Sequence, residues 1–188
     1  MRAKAHSASS PVTTDGGAAR VDLGIRPAVQ GDLEVLWDFL AMAAYEPDAE
    51  AAKLVPGVAK YLVGWQRPGD FGFIAEQDGE ISGAAWARRF SAKEFRFPFG
   101  DEETPKVSIG VKPDARNRGI GETLMRALIG EAACRGLGLC LGVRSENPAR
   151  RLYERLGFSL CRRFRPAGSE SGSRRGGPRA RTVRGMPE

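Results

Sequence analysis

The stretch KVSIGVKPDARNRGIGETLM, residues 106–125, changes its character half-way along. Its apolar beginning predicts a strand over residues 107–111. From Ile120 to Ala132 an apolar residue then recurs at every fourth position, which predicts a long helix that Gly136 ends. A strand that leads directly into a helix leaves the first N–H groups of the helix unpaired and pointing along its axis.

The turn between this strand and this helix contains Arg116, Arg118, Gly119 and Gly121. Unpaired N–H groups and the helix dipole favour an anion, and the glycines keep side chains away from that backbone. The arginines add charge and bidentate donors that suit a phosphate group. We therefore predict a site for a phosphate-bearing ligand. The alternative is a glycine turn with two solvated arginines, since short glycine motifs also occur by chance.

Several other kinds of site lack their residues in this chain. The turn has neither the GxxxxGK[ST] of a P-loop nor the GxGxxG of a dinucleotide site, whose third glycine would replace Leu124. The single histidine is His6, and the three cysteines form no CxxC pair. We therefore expect no zinc site and no Cys-His catalytic pair, and we assign no metal ligands.

The segments around the motif complete a layered pattern. A helix after Asp32 precedes two strands that a hairpin turn at 78–79 joins. After the motif come an apolar strand at 139–143, a short helix that opens at 147–148, and a strand at 158–164. Helices, a β-meander and then β-α-β-α-β predict an α/β domain, layered in the α+β manner around a mixed sheet.

The net charge of +6 belongs to the C-terminal end. Residues 162–188 hold eight arginines and two glutamates, so 21 of the 29 basic and 21 of the 23 acidic residues remain for the rest. We predict one domain at 21–165 between disordered tails at 1–20 and 166–188. No membrane-spanning run and no secretory h-region occur, so we expect a cytoplasmic protein without a membrane partner.

The arginine-rich tail has a competing interpretation, in which it binds nucleic acid or another anionic polymer. Arginines with few aromatic residues between them give only non-specific, salt-sensitive attraction. We therefore favour a solvated tail and expect no specific nucleic-acid binding.

Two segments together resemble a known family. RNRGIG (116–121) matches the [Q/R]-x-x-G-x-[G/A] signature of the GNAT family of N-acetyltransferases, and NPARRLYERLGF (147–158) resembles its second motif. The two stand in the family's order and separation, and the resemblance covers residues 24–165. It implies a mixed, mostly antiparallel sheet that splays between strands 4 and 5, with helices on both faces and acetyl-CoA in the gap.

The resemblance also implies which residues bind acetyl-CoA. Backbone groups of Ile109 and Val111 would pair with the pantetheine amides, and N–H groups of residues 118–123 would hold the pyrophosphate. Asn147 would contact the pantetheine arm, and Tyr153 would lie beside the thioester sulfur. The implied coenzyme-binding residues are Ile109, Val111, Arg116, Arg118, Gly119, Ile120, Gly121, Thr123 and Asn147.

The implied reaction is direct transfer of the acetyl group from acetyl-CoA to a primary amine, without a metal or a covalent enzyme intermediate. Strand edges would align the reactants, the N–H of Val111 would polarise the carbonyl, and Tyr153 would protonate the departing thiolate. Lys106 occupies the place where the family often has a carboxylate base. Glu46, the acids at 102–103 and a water relay are alternatives, so no base is assigned.

The acceptor amine is expected between residues 42–65 and the end of the third strand. Aromatic and acidic side chains there would suit a cationic amine, although both tryptophans could instead be core residues. The acceptor could be a small molecule or a peptide, and homodimers are common in the family. The candidates for contacting the acceptor are Tyr45, Glu46, Trp65, Trp86 and Arg88.

The C-terminus departs from the family pattern. GNAT domains usually end with a seventh strand between the fifth and sixth, but no alternating apolar run follows Phe164. We therefore predict that this strand is missing, which would expose unpaired strand edges and weaken the domain. This departure and Lys106 support a second hypothesis, a catalytically impaired acyl-CoA-binding domain with a degenerate C-terminus.

Overall fold

The protein, as a computed structural model, is described for residues 23–91, 93–94, 102–144, 146–164 and 180–185, and beyond residue 159 for the backbone alone. Its strands are β1 Leu23–Pro27, β2 Phe71–Gln77, β3 Glu80–Arg88, β4 Lys106–Val111, β5 Leu139–Arg144, β6 Ser159–Phe164 and β7 Ala180–Gly185. Its α-helices are α1 Leu33–Ala44, α2 Ala49–Leu54, α3 Pro56–Ala59, α4 Ile120–Cys134 and α5 Arg150–Arg155. None of the helices among these residues has the length and apolar character to cross a bilayer.

The strands form one sheet in the order β1-β2-β3-β4-β5-β7-β6. Every neighbouring pair is antiparallel except β4 and β5, which are parallel. Among the described residues β4 and β5 share a single Cα pair, Lys106 with Cys140, where both strands begin. The prediction of a mixed, mostly antiparallel sheet that splays between strands 4 and 5 is confirmed.

Helices cover both faces of the sheet. One core joins α1 to the inward side chains of β2 and β3, and includes Leu36, Phe39, Leu40, Ile74, Ala84 and Trp86. The opposite core joins α4 to the other face of the same strands, and includes Ala85, Ala87, Ile120, Leu124, Leu128 and Leu141. Each fully buried large apolar side chain stabilises the fold by about 1.5–3 kcal/mol. The apolar side chains at every fourth position of α4 therefore hold that helix on the sheet.

One glycine lets α1 approach β4 closely. A Cβ atom on Gly110 would stand 2.7 Å from the carbonyl oxygen of Phe39, which is nearer than real Cβ contacts allow. The helix therefore lies directly against the strand and ends beside the gap between β4 and β5. Tyr45 ends it in the left-handed conformation, with φ of 64°.

The prediction that the last strand is missing is wrong. β7 lies between β5 and β6 and pairs with both, from Leu139 opposite Gly185 to Phe164 opposite Ala180. The prediction relied on alternating apolar side chains, whereas a strand with a neighbour on each side is held by backbone hydrogen bonds that most residue types can supply. The tail at 1–20 lies outside the described residues, as do 165–179 and 186–188, and the domain boundaries stay predictions.

Candidate active site

The splay between β4 and β5 opens a cleft of about 910 Å³. Its walls come from the end of α1, β4, the turn before α4, β5 and α5. A volume of this size falls in the range of small-molecule and cofactor sites. The cleft is lined by these residues from the sequence predictions: Tyr45, Ile109, Val111, Arg116, Gly119, Ile120, Gly121, Asn147 and Tyr153.

The edge of β4 presents backbone groups to the cleft. Lys112, just after the strand, donates its backbone N–H to the Ser82 carbonyl on the β3 side at 2.9 Å. Along a strand, the backbone N–H and C=O groups of successive residues point alternately to the two sides. The groups of Val111 and Ile109 therefore point away from β3, towards β5. Arg116 Nε donates to the Val111 carbonyl at 3.1 Å. The strand edge can therefore receive an extended chain of amides.

The turn before α4 exposes the first amides of that helix. Gly119 precedes the helix with φ of 81°, a conformation that favours glycine. The first helical hydrogen bond runs from Thr123 N–H to the Gly119 carbonyl at 3.0 Å, so the N–H groups of Ile120, Gly121 and Glu122 have no acceptor within the helix. Thr123 also donates its hydroxyl to Gly119, at 3.2 Å. Both donors of Thr123 are therefore used within the turn, and its predicted contact with the pyrophosphate finds no support in this geometry.

Gly121 leaves room beside these amides. A Cβ atom there would lie 3.7 Å from Leu152 and 3.8 Å from Val111, which are ordinary contact distances. The protein's own packing therefore does not require glycine at this position. The missing side chain does keep the helix N-terminus accessible from the cleft, and this geometry fits the diphosphate of a coenzyme.

Arginines surround this end of the cleft. Arg116 lines it, whereas Arg118 is exposed and lies outside the lining, so the structure gives no support for a contact by Arg118. Two arginines that the sequence analysis did not assign, Arg151 and Arg155, line it from α5. Their spacing of four residues, which places both on one face of a helix, was the signal that could have found them. Arg155 also lies 3.4 Å from Glu122.

Tyr153 is a buried phenol in the wall of the cleft. Its ring packs edge-on against Phe158, with centroids 6.1 Å apart, and the residue is only 6% exposed. Burial, with a smaller contribution from Tyr45, raises the pKa of Tyr153 to about 12. The hydroxyl is therefore a neutral hydrogen-bond donor at all ordinary pH values.

Residues 34–158 match the sequence profile of the acetyltransferase (GNAT) family. The chain belongs to the GNAT family. The resemblance of the two motifs is confirmed, and with it an enzyme that depends on acetyl-CoA. A comparison with curated protein sequences gives no significant match.

Solved GNAT structures share the fold along most of the chain. The yncA protein from Salmonella typhimurium, solved with its cofactor acetyl-CoA, is 22% identical with a TM-score of 0.65, over 87% of this chain and 93% of its own. Ribosomal-protein-alanine N-acetyltransferase from Brucella melitensis is 26% identical with a TM-score of 0.63, over 87% and 99%. The Escherichia coli ribosomal-protein-S18-alanine N-acetyltransferase is 23% identical with a TM-score of 0.63, over 88% and 94%.

The mouth of the GNAT cleft is bridged by Tyr45, Arg144 and Asn147. Asn147 Nδ2 donates to the Tyr45 hydroxyl at 3.3 Å, and Asn147 Oδ1 accepts the N–H of Ala149 at 2.9 Å before α5. The Arg144 guanidinium lies over the Tyr45 ring, 4.2 Å from its centroid. The end of α1 is thus joined to the end of β5, with Tyr45 59% exposed between them.

Two predicted acceptor contacts are wrong, because their side chains are fully buried. Trp86 donates its indole N–H to the Tyr61 carbonyl at 3.2 Å inside the core of α1 and β3. Arg88 forms an ion pair with Asp70 at 2.7 Å, and it too has no exposed surface. Neither side chain reaches the cleft, and Trp65 is likewise a core residue.

The candidates for a general base find no support in the geometry. Lys106, which occupies the place where the family often has its base, is buried and donates Nζ to the Thr104 carbonyl at 3.0 Å. Glu103 pairs with Arg89 at 3.3 Å, and Glu46 lies outside the lining. Among the described residues that line the cleft, the only carboxylate is Glu122, at the helix N-terminus.

Proposed function

We propose that this GNAT enzyme moves the acetyl group of acetyl-CoA directly to a primary amine. The observation that carries the proposal is that the edge of β4 at Ile109 and Val111 and the open N-terminus of α4 face one cleft. The strand edge suits the amides of pantetheine, and the helix N-terminus suits a diphosphate. The coenzyme carries these two groups in the same order.

Each coenzyme group has a partner in this proposal. Ile109 and Val111 bind the pantetheine amides in the manner of an added strand, and Asn147 contacts the same arm. The N–H groups of Ile120 and Gly121 bind the diphosphate. Arg116 adds a positive charge beside it, which strengthens hydrogen bonds to an anion.

The cleft supports direct transfer. Neither cysteine nor histidine occurs among the described residues that line it. The amine nitrogen therefore attacks the thioester carbon itself, and the C–S bond breaks as the N–C bond forms. A backbone N–H of the β4 edge donates to the carbonyl oxygen, where negative charge develops in the transition state. The proton that the amine loses passes to solvent water.

Tyr153 acts on the leaving sulfur as a hydrogen-bond donor. A thiol has a pKa of about 8.5, well below the raised pKa of about 12 of Tyr153. Full proton transfer from the phenol to the thiolate is therefore unfavourable, and the phenol keeps its proton. A donated hydrogen bond stabilises the thiolate as it forms, and solvent supplies its proton afterwards.

The acyl-CoA-binding alternative loses one of its two supports in the structure. The seventh strand is present, whereas Lys106 still stands where the family often has a carboxylate, buried and donating its Nζ to the Thr104 carbonyl. The alternative also predicts that acetyl-CoA binds without ever being consumed, so one assay separates the two.

The test is thiol release from acetyl-CoA over a panel of primary amines, with product acetylation followed by mass spectrometry. Release that depends on an amine, and that falls in Tyr153→Phe without loss of acetyl-CoA binding, supports the proposal. Binding without amine-dependent release would favour the alternative. A protein that is folded yet binds no acetyl-CoA would contradict both.

A further inference from the structure

The cleft has a wall that the proposed coenzyme contacts do not use. α4 lies on one face of the sheet and α1 on the other, so the N-terminus of α4 and the end of α1 approach the cleft from opposite faces. In β4, Val107 and Ile109 pack with the core under α4, which directs Ser108 between them towards the α1 side. The α1 wall of the cleft consists of Leu40, Met42, Ala43, Ala44, Tyr45, Gly57, Val58, Tyr61 and Ser108.

The α1 wall carries no charged side chain among the described residues. Glu46 and Lys60 follow or precede residues of the wall in sequence, but both lie outside the lining of the cleft. Lys60 donates its Nζ to the Glu94 carbonyl at 3.4 Å. The charged residues that do line the described cleft belong to the turn before α4, to α4 and to α5, and they are Arg116, Glu122, Arg151 and Arg155. The acidic side chain that was expected beside a cationic amine is therefore not part of this wall.

The polar side chains of the α1 wall are hydroxyls. Burial, with a smaller contribution from Cys140, raises the pKa of Tyr61 above its usual range, so this phenol keeps its proton. Ser108 is only 9% exposed. Such a wall gives an ammonium or carboxylate group no ionic partner, and an ion that leaves water without a partner is strongly destabilised. The remaining side chains of the wall are apolar, so they favour a hydrocarbon surface.

We propose that the acceptors are small primary amines on an apolar body, such as alkylamines and arylalkylamines, without a second charged group. The inference rests on the proposed function and names its acceptor class. The hydrocarbon body packs against the α1 wall and holds the amine beside the thioester carbon. The same surroundings disfavour the ammonium form, so the neutral, nucleophilic amine is the form that binds in a site without an assigned base.

The test measures kcat/KM, per neutral amine, for n-alkylamines from butyl to octyl and for two hexylamines that carry an ammonium or a carboxylate at the far end. We expect kcat/KM to rise about fourfold with each methylene group until the wall is covered, since one buried CH₂ contributes about 0.8 kcal/mol. Either charged end group should lower kcat/KM by at least about tenfold relative to hexylamine. A peptide with a free N-terminus completes the panel.

Val58 offers a variant that should change this preference, because it lines the cleft from α3 and is only partly buried. Val58→Asp places a carboxylate in the wall, so it should reduce the preference for hexylamine over the diamine by at least about tenfold. Val58→Asn, which adds a polar group without the charge, should not favour the diamine in this way. Val63→Asp is the matched control, since Val63 is 60% exposed and lies outside the lining, and it should keep the wild-type preferences.

The wild-type series decides the inference even if Val58→Asp does not fold. Rates that do not depend on chain length, or a charge-ended hexylamine that equals hexylamine, would overturn the inference and leave acetyl transfer standing. A peptide N-terminus that is acetylated faster than every alkylamine would do the same. Transfer to no amine of any kind would overturn the proposed function as well.

Discussion

The role of Tyr153 depends on where the fold places its hydroxyl. The sequence motif gives a tyrosine, and an ordinary phenol with a pKa of about 10 could act as a general acid. Burial in the cleft wall raises that pKa to about 12, which keeps the proton on the phenol. The neutral form is the functional one, and it persists as the pH rises until the raised pKa is approached.

We therefore predict that Tyr153 leaves no descending limb in the pH profile of kcat below about pH 11. The rate should rise as the acceptor amine loses its proton and then stay level. Tyr153→Phe, which retains the ring against Phe158, should lower kcat by about 10–100-fold, because one hydrogen bond to a charged group is lost. Steady-state thiol release, corrected for thioester hydrolysis, measures both effects.

The pH profiles of kcat for the wild type and for Tyr153→Phe should have the same shape. The substitution should change the KM for acetyl-CoA little. A wild-type rate that declines near pH 10, with the decline absent in Tyr153→Phe, would show that the phenol does give up its proton. That outcome would contradict the hydrogen-bonding role.

Residue type alone did not separate the contacts of the cleft from those of the core. Trp86 and Arg88 have the chemistry of an amine site, but their surroundings place both inside the protein. The decisive partner of Arg88 is Asp70, which is 18 residues away along the chain. The contact of Arg144 with the Tyr45 ring was missed for the same reason, since only the fold brings the two residues together.

At the scale of elements, the segment after α3 is held by Arg88. Besides its ion pair with Asp70, its Nη1 donates to the carbonyls of Lys60 and Val63 at 2.9 and 2.7 Å. Gly57 and Val58, just before these carbonyls, line the cleft. A buried pair in β3 thus keeps one wall of the site in place.

Arg88→Met should lower the free energy of unfolding by about 3–5 kcal/mol, because it leaves the buried Asp70 carboxylate without its positive partner and with only the Arg67 N–H as a donor. Equilibrium unfolding in urea measures the loss. Lys53→Met is the control, as it removes the exposed pairs of Lys53 with Glu50 and Glu34 and its contact with the Trp37 ring, and it should lower stability by no more than about 1 kcal/mol. If Arg88→Met were as stable as the control, the anchoring role of Arg88 would be wrong.

Elements with a local signal were predictable, and an element that depends on its neighbours was not. The boundaries of β4 and α4 follow from an apolar run, a glycine turn and an apolar residue at every fourth position. The hairpin turn at 78–79 follows from the Asp-Gly pair. β7 has none of these signals, because its pairing with β5 and β6 supplies its stability. Its sequence, ARTVRG, is compatible with a strand but does not demand one.

At the scale of the molecule, β7 completes the sheet between β5 and β6. Deleting residues 166–188 should therefore destabilise the whole domain, because both neighbours would lose a row of backbone hydrogen bonds. We expect the melting temperature to fall by more than about 5 °C, since each kcal/mol lost lowers it by about 2–4 °C in a protein of this size. A deletion variant that melts with the wild type in calorimetry would show that β7 is dispensable.

The central claim is that the amides before Thr123 bind the diphosphate of the coenzyme, and titration calorimetry with CoA tests it most directly. The intact protein should bind one CoA, and Gly121→Ala should bind it about tenfold more weakly, about 1.4 kcal/mol, because a methyl group then stands beside those amides. The melting temperature of this variant should not fall, since the added Cβ makes only ordinary contacts with Leu152 and Val111. A folded wild-type protein that gives no heat of binding, or a Gly121→Ala variant that binds CoA equally well, would contradict the claim.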